Sequence, residues 1–124
     1  MDRIIFLGPC EIFVFGSNEA GIHGAGAAKC AVEKFGAKMR QGYGLQGRSF
    51  AIPTKDKSLR TLPLQSIAVY IDRFIEFARL NPQLSFLMTK IGTGLAGYSI
   101  DEMRELFIVR QFPSNVILPS EFQL

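Results

Sequence analysis

The stretch Leu84–Ser99, LSFLMTKIGTGLAGYS, joins an apolar run to a loop holding three glycines and stops where a helix-like segment begins. LSFLMTK is short, and it is bounded by Asn81-Pro82 on one side and by Gly92 on the other, which suits a buried strand. Ser99 and Glu102 then stand in the S-x-x-E spacing of a capping box, with Ile100, Met103, Leu106 and Phe107 as the buried side of the helix that follows. Strand, loop and helix in this order make one βα unit. Each glycine adds backbone entropy that folding must remove, so a loop this permissive implies that something comes close to its backbone.

The same order recurs along the chain. Glu11–Phe15, EIFVF, reads as a strand buried on both faces and stopped by Gly16. From Gly24, residues Ala27, Ala28, Ala31, Val32 and Phe35 fall at helical spacing, with Lys29, Glu33 and Lys34 opposite and Gly36 as the stop. A polar connection, RQGYGLQGR, leads to a second strand, SFAIPTK at 49–55, which Pro53 ends or moves to an edge. Pro63 opens a helix that carries Leu64, Ile67, Ile71, Phe74, Ile75 and Ala78 inward until Asn81-Pro82. The third strand is Leu84–Lys90 and the last is Val116–Leu118. Residues 1–10 read as an extra edge strand or as a surface extension. The order βαβαβαβ predicts an α/β fold in three layers, αβα, with a mostly parallel twisted sheet of four to five strands in one domain spanning residues 1–124.

Composition narrows the function classes. With 124 residues, 48% of them hydrophobic, the chain can bury one core and is too short for two ordinary domains. No apolar run approaches the roughly 20 residues of a membrane helix, and MDRIIFLGPC lacks a signal-peptide pattern, so a soluble, cytoplasmic protein with no membrane partner is expected. Cys10, Cys30 and the single His23 do not make a zinc set, so neither metal nor cofactor is expected. The net charge of +3 favours anionic ligands, but Lys and Arg are scattered, so an extended nucleic-acid surface is not indicated.

In an open parallel sheet, ligands bind beyond the carboxyl ends of the strands. That rule puts GSNEAGIHGAG, Gly16–Gly26, and IGTGLAGYS, Ile91–Ser99, at one edge, each leading into a helix. Backbone N–H groups freed by glycines, with two helix dipoles behind them, suit a diphosphate. Neither a Walker loop nor a full G-x-G-x-x-G fingerprint is present.

These residues carry a family resemblance. FVFGSN followed by HGAGAAKCAVEKFGA resembles the macro-domain signature, in which a strand ends in N-A-x-N and a glycine-rich loop leads into a small-residue helix. MTKIGTGLAGYSIDEM resembles that family's second loop, S-T-G-I-[FY]-G-Y-P. SFAIPTKD takes the place of the intervening strand, and NVILPSEF that of the last. Small phage-associated macro-like proteins are more similar still, sharing FVFGSN, HGAGAA, AIPTKD and GLAGY, which implies a phage-encoded protein acting in a bacterial host.

Macro domains bind ADP-ribose and related nucleotides, and some hydrolyse ADP-ribose from proteins or act as ADP-ribose 1″-phosphatases. The resemblance implies that Asn18, preceded by Gly16 and Ser17, holds the distal ribose. It implies that Gly24, Ala25 and Gly26 face the phosphates from the first loop. From the second loop Gly92, Thr93, Gly94, Leu95, Ala96 and Gly97 do the same, while the ring of Tyr98 covers the ribose. Phe15 replaces the first Asn of N-A-x-N, and no G-D-I motif with its adenine-binding Asp precedes Glu11.

Several residues have two readings. Asn18 either meets the ligand or caps its own loop. His23 either serves as general acid or base, with Asn18 positioning a water, or is a surface histidine. Tyr98 either covers the ligand or packs on the core. Glu19 is the carboxylate available for water activation, or a solvated loop acid. Arg48 and Lys55 flank the second strand as candidate phosphate contacts, and Tyr43 is a candidate base-stacking ring. Two further functions stay open beside nucleotide hydrolysis: a non-catalytic module that sequesters a nucleotide or holds a protein, and single-stranded nucleic-acid binding.

Overall fold

EIFVFGSN, Glu11–Asn18, forms the central strand, β1. The computed structural model describes Gly8 and residues 10–123, so the edge strand or extension considered for residues 1–10 lies largely outside the described residues. Along β1 the side chains alternate: Ile12 and Val14 enter one core cluster, Phe13 and Phe15 another, and all four are buried. A strand apolar on both faces needs a helical layer on each.

One layer is α1 (Gly26–Lys34), which lays Ala28 and Ala31 on the Phe13 and Phe15 face. Its small residues let it approach closely, and Phe35 just beyond its end sets its ring 4.8 Å from that of Phe13. The other layer is α2 (Leu64–Leu80) with α3 (Ile100–Ile108). Ile67, Ile71, Phe74 and Ala78 of α2, and Met103 and Phe107 of α3, pack on Ile12 and Val14. Between the layers lies a five-stranded sheet of β1, β2 (Gly44–Gln46), β3 (Ser49–Lys55), β4 (Ser85–Met88) and β5 (Val116–Ile117). The spatial order is β2-β3-β1-β4-β5, parallel throughout except that β2 runs antiparallel to β3. The expected α/β architecture, a mostly parallel sheet with helices on both faces, is what the chain forms. Among the described residues, no helix is long and apolar enough to cross a membrane.

Four local expectations need correction. β1 does not stop at Gly16 but runs to Asn18, because Gly16 and Ser17 continue the ladder opposite Ile52 and Pro53. Pro53 does not end β3 either. The register shifts beside it, between Ser17 and Asn18, so the ladder steps past a residue that has no N–H to give. RQGYGLQGR is not merely a connection, since Gly44–Gln46 adds β2 through the two-residue turn Gly47-Arg48. Ile100, read as buried, is 41% exposed, because the inward side of α3 begins at Met103.

At the centre, Phe50, Phe74 and Phe86 meet edge to face, with centroids 5.1 Å apart for Phe50–Phe74 and 5.3 Å for Phe74–Phe86. Such pairs add about 0.5–1.5 kcal/mol each beyond simple burial. Phe86→Ala is therefore expected to lower the unfolding free energy in urea by about 3–5 kcal/mol. Leu80, 69% exposed at the end of α2, is the control. Leu80→Ala should change stability by no more than about 0.5 kcal/mol.

Candidate functional site

The topology itself fixes where a crevice must open. β1 and β4 are neighbours, yet the chain leaves β1 for α1 on one face and, after β4, reaches α3 on the other. Two loops that diverge to opposite faces leave a gap between them at the carboxyl end of the sheet. A cleft of about 710 Å³ occupies that position, within the range of small-molecule sites.

The cleft is lined by Gly16, Ser17 and Asn18 at the end of β1 and by Gly24, Ala25 and Gly26 at the entry to α1. Gly92, Thr93, Gly94, Leu95 and Ala96 line it from the second loop. The two glycine-rich segments thus share one cavity. Several of the expected residues are elsewhere: His23, Gly97 and Tyr98 are not among its lining, nor are the candidates Glu19, Tyr43 and Arg48.

The glycines of the second loop have different reasons to be there. Gly92 takes φ of 80°, and a Cβ on it would lie 2.5 Å from Met103 Sδ, so it serves packing against α3. Gly94 has no such conformational demand, and a Cβ there would meet nothing within 4 Å. The same holds for Gly24. These two positions border open cleft, not protein.

Backbone donors concentrate around that space. Ala25, the N-cap of α1, is extended and its side chain offers no cap. Gly26, Ala27 and Ala28 donate their N–H groups to no acceptor among the described residues, and all three line the cleft. Gly94, Leu95 and Ala96 are likewise without acceptors for their N–H groups among the described residues. With no acid in its first turn, α1 presents the positive end of its dipole here. The expectation of two such helix ends does not hold. Ser99 Oγ accepts from Glu102 N–H at 3.0 Å, and Glu102 accepts from Ser99 N–H at 2.9 Å, so α3 is closed by its own capping box, with Asp101 adding negative charge.

Lys55 and Lys90, at the carboxyl ends of β3 and β4, also line the cleft. Lys90 lies 3.6 Å from Glu121, whereas Lys55 has no ion pair among the described residues. No Asp, Glu or His lines the cavity among the described residues, and no group of side chains there could hold a metal ion.

The geometry gives each residue that had two readings a definite partner within the protein. Asn18 is a loop staple: its Nδ2 donates to the Ile22 carbonyl at 2.8 Å and its Oδ1 accepts from Ile22 N–H at 2.9 Å. His23 is neither a surface residue nor exposed to the cleft. It is 3% exposed, edge-on to Phe15, with Nε2 donating to the Gln41 carbonyl at 3.0 Å and Nδ1 3.3 Å from Ser17 Oγ. The carbonyl can only accept, which places the ring proton on Nε2. Both ring nitrogens therefore brace the loop, and a catalytic role for His23 is not what this geometry serves.

Tyr98 packs on the core, and its hydroxyl donates to the Leu62 carbonyl at 2.6 Å. Glu19 turns from the cleft to accept from the Tyr70 hydroxyl at 2.5 Å. Tyr43 stands against Phe50 and Tyr70, with the Arg73 guanidinium 5.0 Å above its ring, so it is occupied by packing. Arg48, in the turn just before β3 at the opposite end of the sheet, donates to the Gly8 carbonyl.

Sequence reasoning missed Ile22, Leu59 and Thr89 as lining residues. Thr89, directly after β4, could have been found by extending the strand-end rule. Leu59 and Ile22 carry no polar signal that would single them out. The chain matches no protein-family model, no curated protein and no solved structure.

The Glu19–Tyr70 contact makes a measurable mark. Burial first, then the hydrogen bond and charge of Glu19, push the Tyr70 phenol from 10.0 up to about 12. The unfolded chain ionises near its ordinary value while the folded chain stays neutral, so this contribution to stability is complete below pH 10 and is lost as pH rises to about 12. Tyrosinate absorbance should show a step near pH 12 that Tyr70→Phe removes and that Glu19→Gln moves to lower pH, while Tyr43, itself raised by burial, keeps its own late ionisation in both variants. A step near pH 12 that Glu19→Gln leaves unmoved would count against the contact.

Proposed function

We propose that this chain is a macro-like nucleotide-binding domain that holds ADP-ribose or a related phosphorylated nucleotide in the cleft between its two glycine-rich loops. The observation that carries this reading is the set of unpaired backbone N–H groups on Gly26–Ala28 and Gly94–Ala96, gathered from two loops around one cavity. Amides without protein acceptors at an uncapped helix start suit phosphate oxygens. Lys55 adds a positive charge, and among the described residues no carboxylate lines the cavity to repel an anion. The resemblance of FVFGSN, HGAGAA and GLAGY to macro-domain loops supports ADP-ribose as the first ligand to test.

Binding without turnover is the better-supported form of the proposal. With His23 and Glu19 engaged elsewhere, hydrolysis would have to take its base from the substrate's own phosphate. A lining that holds, among the described residues, neither carboxylate nor imidazole fits retention of a nucleotide better than attack upon it.

The test is a titration with ADP-ribose followed by thermal unfolding. Ligand at about 100 times its Kd should stabilise the fold by about 2.7 kcal/mol. Gly94→Glu should fold normally, since its Cβ meets nothing within 4 Å, and should lose the shift by placing a carboxylate among the phosphate-facing amides. Asn18→Ala is a poorer probe, because it also frees the loop at Ile22. Absence of any shift with ADP-ribose, AMP and pyrophosphate would end the proposal.

A further inference from the structure

We propose that Leu59 and Leu95, with Ile22, form an apolar clamp that grips the planar base of the bound nucleotide without reading its hydrogen-bonding edge, so that purine and pyrimidine nucleotides are accepted alike. The inference rests on the phosphate-binding reading of the cleft. All three side chains line that cleft and are left open to it, 46% exposed for Leu59, 74% for Leu95 and 48% for Ile22.

Leu59 is the decisive residue. Its φ of 65° lies in the left-handed region, which a leucine rarely adopts and which glycine or asparagine would adopt readily. The surrounding loop enforces that conformation: Asp56 Oδ1 accepts from the N–H groups of Ser58 at 2.8 Å and Arg60 at 3.0 Å. Leu59 N–H also donates to the Asp56 carbonyl. Yet its side chain belongs to neither core cluster, and nearly half of the residue stays open to solvent. Backbone strain maintained for a side chain that the core does not use, on the wall of a cavity, points to a ligand contact.

The clamp is also linked mechanically. Thr61 Oγ1, just past Leu59, donates to the Ala96 carbonyl at 2.7 Å, which ties the loop of Leu59 to the loop of Leu95. The neutral polar side chains of the cleft already have internal duties. Asn18 is paired with Ile22, while Thr54, Thr89 and Thr93 donate to the carbonyls of Ser17, Val14 and Lys90. Among the neutral side chains, what remains for a base is aliphatic surface, and hydrophobic contact is non-directional, so it holds a base face with little regard to which base it is.

Calorimetric titration of ADP, UDP and pyrophosphate into the wild type and Leu59→Gly tests the clamp. The wild type should bind ADP and UDP with comparable affinity, each tighter than pyrophosphate. Leu59→Gly should weaken both nucleotides by about tenfold, the worth of one leucine contact. It should leave pyrophosphate unchanged and should not lower the melting temperature, because glycine accepts the backbone without strain. Unaltered ADP affinity in Leu59→Gly, an equal loss for pyrophosphate, or ADP preferred over UDP by the orders of magnitude that hydrogen-bond reading produces would each overturn the clamp while leaving the phosphate site standing. A wild type that binds none of the three refutes the phosphate site, and the clamp with it.

Discussion

Parallel pairing of β1 on both of its edges is the constraint from which the other features follow. Phe13 and Val14 lie in register with both β3 and β4, and their side chains leave in opposite directions into two separate cores. A strand held this way cannot shift register by one residue without exchanging the contents of both cores. Its carboxyl end is therefore a fixed point, and both the α1 entry and the second loop are positioned from it. Gly16 shows how close the elements come: a Cβ there would lie 3.6 Å from Ile91 of the neighbouring loop.

Around this fixed end the two loops are built by different means. The first is held by side chains whose chemistry would also serve a ligand. Asn18 closes it on Ile22, and His23 ties it to Gln41 and Ser17. The second is held largely by its backbone, with Tyr98 N–H on the Gly92 carbonyl and Gly97 N–H on the Gly94 carbonyl, and it is moored by Thr61 and Tyr98 to the segment before α2. Both leave amides on the cleft side that have no acceptor among the described residues. Preorganised donors of this kind bind an anion without having to reorder first, which is why rigid loops suit the task.

The two helix starts near the cleft differ in a way that assigns them different work. α3 spends Ser99 and Glu102 on its own end, which stabilises the helix and removes its attraction for anions. α1 begins with Gly26, Ala27 and Ala28 and has no capping side chain. An uncapped end is the less stable choice by about 1 kcal/mol, and it is the choice that keeps donors available.

The α/β order of elements, the buried central strand, the inward faces of α1 and α2 and the capping box of α3 were all determined by the sequence alone, because each is written in local periodicity or spacing. So was the meeting of GSNEAGIHGAG with IGTGLAGYS, since both follow strands of one parallel sheet. The duties of individual polar residues were decided only by the tertiary structure. Asn18, His23, Glu19 and Tyr98 have the chemistry of a site, but a side chain's partner depends on what packs within hydrogen-bond reach, and Ile22, Gln41, Tyr70 and Leu62 come from elsewhere in the chain or from the far side of a turn. Leu59 is the converse case. Nothing in its residue type suggests a cleft, and only the folded chain, with Leu59 at φ 65° in the loop that Asp56 holds, sets it on the cavity wall.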